Sequence, residues 1–295
     1  MISKLYELRA DLLLLSVAIA WGVTFLMVQD AINTTPVYAF LFFRFAIASI
    51  LMFFIAYKYL NEINKKTILY GIILGLFLFS AFATQTFGLS YTKSSIVAFI
   101  TGLNVIVVPF LAYFIFKDYI SKNVLIATVI AVVGLYLLTM SGALTIGKGE
   151  LLTLICAFLF ALQIIFTGKF SKEVNVFLLV LFQLLTVTVL SLIFSLSLDD
   201  VTFNLTYDYV FFKAVLITAV FATVYAFLIQ TYMQQFTTAT KTAIIFAMEP
   251  VSASVFAYIS VGEVLTNIQL SGAILIVFAT VVAELKFKRK LKHTL

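Results

Sequence analysis

The chain has 295 residues, of which 63% are hydrophobic and only 11% are charged. A soluble domain of this size is closer to half apolar and a quarter charged, so the composition excludes an ordinary water-soluble protein and indicates a membrane protein. The net charge of +6 comes from basic residues scattered between apolar runs, which argues against a nucleic-acid-binding surface.

Apolar segments long enough to cross a bilayer follow one another along the whole chain. A membrane-spanning helix needs about 20 mostly apolar residues. In chain order, the predicted spans are 11–29, 37–57, 68–90, 95–116, 123–141, 150–168, 176–197, 210–232, 242–261 and 268–285. The first is expected to be a retained span rather than a signal peptide, because no small-residue cleavage pattern precedes Asp30. The predicted fold class is an all-α polytopic membrane protein with ten transmembrane helices.

The positions of the basic residues predict the orientation of these spans. Lysine and arginine are retained on the cytoplasmic side of a membrane. With both termini inside, fifteen of the nineteen basic residues lie on the inner side and only Lys93, Lys148 and Lys213 lie outside. The sequence therefore predicts a multi-pass protein of the cytoplasmic (inner) membrane with both termini cytoplasmic.

An internal repeat relates the two halves of the chain. A shift of 145 positions aligns Gln85 with Gln230 and Asp118 with Glu263 in one ungapped register. The predicted repeats are residues 1–144 and 145–295, with five helices each. Because five is odd, the second repeat must enter the membrane upside down, and inverted repeats are typical of secondary transporters that bind substrate between them near the midplane.

An acid and a proline interrupt the apolar run IIFAMEPVSASVF at residues 244–256. A charge near the bilayer centre costs at least a few kcal/mol, so Glu249 is a candidate functional residue. Pro250 lacks an N–H and is predicted to break the helix, which frees the carbonyl of Phe246. Two interpretations are open: Glu249 faces a cavity as a coupling or substrate-binding group, or it is protonated and bonded to a neighbouring helix.

Arg44 is the second costly residue, and it lies inside the second predicted span. It needs an anion, and the candidates are Glu249, the C-terminal end of a broken helix, or a substrate carboxylate. Alternatively, Arg44 extends to the lipid headgroups and only holds the helices together.

Neutral polar and aromatic side chains complete the predicted substrate site. The polar candidates are Gln85, Thr101, Asn104, Gln163 and Gln230, for which hydrogen bonding between helices is the alternative role. The predicted apolar walls are Trp21, Phe25, Tyr225 and Phe246.

Several motifs resemble one transporter family across almost the whole chain. They are WG at 21–22, FFRF in the second span, SSIVAFITGLNVIVVPFLAYF followed by KDYIS, and MEPVSASVFAYISVGEVLTNIQLSGA near the end. Together they resemble the drug/metabolite transporter (DMT) superfamily, EamA type. The first half departs from the family pattern at Lys117, Asp118 and Ala127. The resemblance implies ten helices in two inverted bundles around a central cavity, and export of amino acids or other small metabolites by alternating access.

The predicted function is secondary active export of small metabolites, without enzyme activity. The sequence contains no phosphate-binding glycine loop, paired histidine ligands or HExxH motif, so no cofactor or metal is expected. The expected partners are the lipid bilayer and a small-molecule substrate, with protons and a second copy of the chain as further candidates, and no nucleic acid. Two alternatives stay open: an intramembrane enzyme that uses Glu249 as acid and base, and a passive channel or lipid scramblase.

Overall fold

A computed structural model describes residues 2–139, 147–199, 208–262 and 264–284 of the chain. The predicted repeat boundary at 144/145, Glu263, the ends of two predicted spans at 140–141 and 285, and the basic C-terminal tail lie outside the described residues. Throughout the described ranges the regular secondary structure is helical, with no strand. The predicted all-α class is therefore confirmed.

Thirteen α-helices are described, with a short 3₁₀ helix after α2 at Tyr57–Glu62 and a π-helical segment between α9 and α10 at Val220–Tyr225. The α-helices are α1 (Ile2–Ile32), α2 (Val37–Ala56), α3 (Lys65–Tyr91), α4 (Ser94–Gly102), α5 (Asn104–Phe116), α6 (Lys122–Thr139), α7 (Lys148–Phe170), α8 (Val176–Leu198), α9 (Tyr209–Ala219), α10 (Ala226–Met233), α11 (Ala239–Phe246), α12 (Glu249–Val261) and α13 (Asn267–Glu284).

Seven helical segments are long and apolar enough to cross a membrane. They are Leu8–Ile32, Val37–Glu62, Lys65–Tyr91, Ser94–Phe116, Lys148–Phe170, Val176–Leu198 and Tyr209–Met233. Two further apolar helices, Lys122–Leu138 and Asn267–Ala283, are shorter. The multi-pass membrane class is thus confirmed by length and composition. The number of ten spans stays a prediction, because these two helices and the α11–α12 pair fall short of that length.

Two helical segments, one in each half of the chain, are interrupted at corresponding places. The helix that starts at Ser94 breaks at Leu103, and the helix that starts at Ala239 breaks at Ala247 and Met248. Both interruptions use a residue with similar angles, φ −64° and ψ −9° at Leu103 and φ −60° and ψ −10° at Ala247. Pro250 occupies the second position of α12. An N–H group there would have no acceptor within the helix, so the proline costs no helical hydrogen bond.

The π-helical segment distinguishes α9–α10 from its counterpart α3. Tyr209 starts α9 144 residues after Lys65 starts α3, whereas Gln85 aligns with Gln230 at a shift of 145. A π-helix pairs residues five apart instead of four and so absorbs one extra residue. The Thr223 hydroxyl donates to the carbonyl of Thr218, five residues back, at 2.8 Å.

Contacts between corresponding helices hold the two halves together. Helix α6 packs against α13 and α2 packs against α8. At the first crossing, a Cβ added to Gly272 would lie 2.6 Å from the Gly134 carbonyl oxygen, so only glycine permits this approach. At the second, the hydroxyls of Ser49 and Thr188 are 2.9 Å apart. These helices frame the centre of the molecule.

Candidate functional site

A central cavity lies between the first helix, the α4–α5 and α11–α12 interruptions, and α7. It is narrow, with about 40 Å³ that water can occupy. Its lining consists of Trp21, Thr24, Phe25, Val28, Arg44, Phe82, Gln85, Thr86, Leu89, Thr101, Asn104, Phe160, Gln163, Ile164, Phe246 and Glu249. Nine of the eleven predicted substrate-site residues are in this set; Tyr225 and Gln230 are not.

Glu249 reaches the cavity because α12 begins with it, directly after the interruption of the helix. The residue is buried, with 8% of its surface exposed. Among the described residues, no side chain or backbone group forms a hydrogen bond or ion pair with its carboxyl group. An ionised buried carboxyl without a protein partner is costly, so either a proton or a bound cation would stabilise it.

Arg44 is buried and held by the π-helical segment. Its Nε donates to the Thr223 hydroxyl at 2.9 Å, and its Nη2 donates to the Ala222 carbonyl at 3.2 Å. The guanidinium carbon also lies 4.6 Å from the centre of the Phe82 ring, within range of a cation–π contact. These acceptors lie within a π-helical segment that continues into α10, not at the predicted C-terminal end of a broken helix. Arg44 forms no ion pair with Glu249 and does not extend to the surface, being 4% exposed.

Trp21 shares an acceptor with Arg44. Its indole Nε1 donates to the Ala222 carbonyl at 2.9 Å, and its ring contacts Phe246 edge to face at 4.8 Å between centroids. One backbone carbonyl therefore orients two cavity-lining side chains from two different helices. Sequence reasoning missed Ala222 and Thr223, and no sequence signal marked them, because the offset of 144 appears only from the observed starts of α3 and α9.

The glutamine side chains form two hydrogen-bonded pairs behind or beside the cavity. In the first half, Gln85 Nε2 donates to the Thr101 hydroxyl at 3.2 Å. In the second, Gln230 Nε2 donates to Gln163 Oε1 at 3.0 Å, and Gln163 Nε2 donates to Thr167 at 3.0 Å. These side chains thus combine the two predicted roles, hydrogen bonding between helices and cavity lining. Of the four predicted residues involved, Gln85, Thr101 and Gln163 also line the cavity.

Two predicted site residues need correction. Gln230 has no exposed surface and lies behind Gln163, which separates it from the cavity. Tyr225 is not among the residues that line the cavity, and its hydroxyl lies 2.6 Å from that of Ser16 on α1. The Gln230 amide nitrogen and the Tyr225 hydroxyl contact other helices, whereas Gln230 Oε1 has no hydrogen-bond partner among the described residues. Sequence periodicity cannot distinguish such contacts from cavity lining.

Asn104 occupies the position in the first half that Glu249 occupies in the second. Each begins the helix after an interruption, and the two lie 145 residues apart. Asn104 is 5% exposed, and its Oδ1 has no hydrogen-bond partner among the described residues. The site therefore combines an amide and an acid at equivalent positions, with aromatic rings between polar groups.

Comparisons with known proteins agree with this architecture. The model of the EamA-like transporter family matches the chain twice, at residues 8–140 and 147–284. An uncharacterized transporter of Archaeoglobus fulgidus is 32% identical over 280 residues, covering 95% of this chain and 87% of that protein. A solved structure described only as the crystal structure of a protein has a TM-score of 0.78 at 13% identity, over 94% of this chain and 96% of that one. At that identity it supports the fold alone.

Proposed function

Because the chain belongs to the EamA-like transporter family, we propose that it is a secondary active transporter that exports small amphipathic metabolites by alternating access. The observation that carries the proposal is the buried Glu249 carboxyl, which faces a central cavity without a partner among the described residues. Family membership points to transport rather than catalysis, and no observation favours the intramembrane enzyme over it.

The proposed architecture is ten membrane-spanning helices in two inverted repeats, 1–144 and 145–295. The recurrence of helix bounds supports it: α4, α5 and α6 start at Ser94, Asn104 and Lys122, and α11, α12 and α13 start at Ala239, Glu249 and Asn267. The double match to the family model supports it as well. Such repeats can exchange conformations about a site between them, which is the basis of alternating access.

The lining of the cavity favours a substrate that carries an ammonium group. Five aromatic side chains surround the site: Trp21, Phe25, Phe82, Phe160 and Phe246. The Arg44 guanidinium is already bonded to Thr223 and Ala222, whereas the Glu249 carboxyl is not bonded to a described residue. An unpaired carboxyl beside aromatic faces binds an organic cation well. Amino acids and aromatic amines fit this description.

Coupling to protons follows from the same carboxyl. When the substrate leaves, Glu249 loses the cation that neutralised it, and in a buried cavity a proton is the simplest replacement. We therefore propose that the protein exchanges protons for substrate across the inner membrane, with both termini in the cytoplasm. The excess of basic residues on that side supports this orientation. A homodimer is a separate hypothesis, and the proposed transport does not depend on a second copy of the chain.

Counterflow in proteoliposomes tests the proposal. Vesicles are loaded with one unlabelled compound from a panel of amino acids, aromatic amines, sugars and nucleosides, and uptake of the labelled compound is measured. Saturable counterflow is expected for compounds with an ammonium group and not for sugars. Uptake that is linear in concentration and not accelerated by loading would indicate a passive channel, and scrambling of labelled lipid would indicate a scramblase.

A further inference from the structure

Two larger cavities lie on either side of the central one. The first, the Lys93 vestibule, has about 350 Å³ and is lined by residues that include Leu26, Lys93, Ser94, Leu265 and Gln269. The second, the Lys169 vestibule, has about 450 Å³ and is lined by residues that include Phe116, Ile120, Val124, Ile165 and Lys169. Each is much roomier than the central cavity between them.

The two vestibules lie at opposite ends of one membrane-spanning segment. Ser94, at the start of α4, lines the first, and Phe116, at the end of α5, lines the second. At 1.5 Å per residue, these residues are roughly 33 Å apart along the helix axis, about the thickness of the hydrocarbon core. The vestibules therefore face opposite sides of the membrane.

The repeat relates one vestibule to the other. Leu265 and Gln269 in the first correspond to Ile120 and Val124 in the second at a shift of 145. Ser94 likewise corresponds to Ala239, which lines the second vestibule. Each vestibule is thus lined by residues of both halves, and the repeat exchanges the two linings, as expected for two entrances of a single path.

Repeat-related residues of the central cavity lie next in sequence to residues that line a vestibule. Phe25 lines both the central cavity and the Lys93 vestibule, and its neighbour Leu26 lines that vestibule. On the other side, Ile164 lines the central cavity and its neighbour Ile165 lines the Lys169 vestibule. A shift of 139 places Phe25 on Ile164 and Leu26 on Ile165. Phe25 is 6% exposed and Ile164 is 2% exposed, so both side chains are buried by packing.

We infer that Phe25 and Ile164 are the two gates of the transport path, Phe25 towards the Lys93 vestibule and Ile164 towards the Lys169 vestibule. This inference rests on the proposed function and adds the residues that control access. A buried apolar side chain excludes water and ions from a narrow junction. Displacing one gate while the other stays packed connects the central cavity to one side of the membrane only.

Thiol labelling tests the gates without any substrate. In a Cys156→Ser background, Thr86→Cys places a reporter thiol in the central cavity, and a charged, membrane-impermeant methanethiosulfonate is applied to one side of oriented vesicles. With Phe25→Ala, the labelling rate should rise at least tenfold from the Lys93 side and stay at the background rate from the other. With Ile164→Ala, the same rise should occur from the Lys169 side only.

Matched truncations outside the cavities control for general loosening. Phe40→Ala and Ile276→Ala remove the same side chains from fully buried positions that line none of these three cavities, and they should leave labelling unchanged. If an alanine variant fails to fold, Phe25→Leu and Ile164→Val should give smaller rises with the same sidedness. Labelling that rises equally from both sides, or with the controls, or with neither gate variant, overturns the assignment.

The gate test and the transport test fail independently. Loss of sided labelling with counterflow intact would reject these two residues as gates and leave the transporter in place. Sided labelling without counterflow of any tested compound would uphold the two barriers and count against the proposed function.

Discussion

Glu249 and Asn104 show how equivalent positions in the two halves acquire different chemistry. Both begin a helix after an interruption, and both line the central cavity. Of the two, only Glu249 can take up or release a proton, because an amide does not titrate. A repeat that is symmetric in backbone is thus asymmetric in charge, and the acid is supplied by the second half alone.

Replacing Glu249 by glutamine should abolish proton coupling while preserving shape. We expect Glu249→Gln to lower counterflow of ammonium-bearing compounds at least tenfold, since the substitution costs more than about 1.4 kcal/mol of binding once the ionic contact is lost. The remaining transport should no longer vary with pH. Glu62→Gln, the same change at an exposed position, is the control. Unchanged rates and an unchanged pH profile would exclude Glu249 from coupling.

Replacing Arg44 by lysine should destabilise the protein more than it alters substrate affinity. Lysine keeps the charge but cannot reproduce the two directed bonds to Thr223 and Ala222. A loss of about 2 kcal/mol in unfolding free energy is expected, as for buried hydrogen bonds to charged groups. Thermal unfolding in detergent measures it, with Arg9→Lys at an exposed position as control. A large fall in affinity at unchanged stability would instead assign Arg44 to the substrate.

Most of the cavity lining could be predicted from the sequence, because polar side chains within apolar spans avoid lipid and face either another helix or a cavity. Glu249, Asn104 and Gln163 all face the cavity for this reason. Gln230 was misplaced, since one helix face can meet either the cavity or another glutamine. The acceptors of Arg44 could not be predicted, because they depend on the path of the backbone.

At the scale of helices, interruptions determine which groups reach the centre. The sequence predicted a break at Pro250, but it also predicted 95–116 as one continuous helix. The structure interrupts that helix at Leu103, and the next proline, Pro109, lies six residues further on inside α5. Gly102 precedes the interruption and packs closely on α6, since a Cβ added there would lie 3.2 Å from the Leu135 side chain. Such a tertiary contact leaves no local pattern in the sequence.

The π-helical segment should be coupled energetically to Arg44. Thr223→Val keeps the shape of the side chain and removes the hydroxyl that accepts from Arg44 and donates to Thr218. We expect Thr223→Val and Arg44→Lys each to lower the unfolding free energy, and the double variant to lose less than the sum of both. A coupling energy of at least about 0.5 kcal/mol in a double-mutant cycle is expected for groups in contact. Strict additivity would contradict a direct contact.

The close crossing of α6 and α13 should tolerate no side chain. In Gly272→Ala, the new Cβ would lie 2.3 Å from the Leu138 nitrogen and 2.6 Å from the Gly134 oxygen. Because both atoms belong to the backbone, the helices must separate, at a cost of about 1–3 kcal/mol or more. Gly168→Ala is the matched control, since its nearest neighbours are 3.8 Å away. In thermal unfolding, Gly272→Ala should melt at a lower temperature than Gly168→Ala. Equal melting temperatures would mean that α6 and α13 can move apart without loss of stability.

At the scale of the whole molecule, ion pairs join distant parts of the chain at the membrane edge. Lys241 contacts Asp11 at 2.8 Å, which connects the start of α11 to α1. Lys66 contacts Glu173 at 2.8 Å, and this hydrogen bond holds the pKa of the Glu173 carboxyl below its ordinary value.

The membrane class and the repeat could be predicted from composition and register. The pairing of helices could not, because apolar faces do not specify their partners.

The predicted orientation can be measured with single cysteines. In a Cys156→Ser background, Lys93→Cys should react with an impermeant thiol reagent only from outside, and Lys172→Cys only from the cytoplasmic side. Both positions are exposed, so reagent access is not limited by packing. Lys58→Cys, also exposed and predicted to be cytoplasmic, is a second reference for the inner side. Reaction of Lys93→Cys and Lys172→Cys from one common side would refute the proposed topology.

The Ala222 carbonyl also constrains how the molecule can move. It accepts from Trp21 of α1 and from Arg44 of α2, although it belongs to the other half of the chain. Any displacement that parted α9–α10 from these two helices would strip a buried guanidinium and an indole of their acceptor at once. The least costly motion keeps the three together as one rigid body. The bodies that pivot during a transport cycle would then each contain helices from both halves of the sequence.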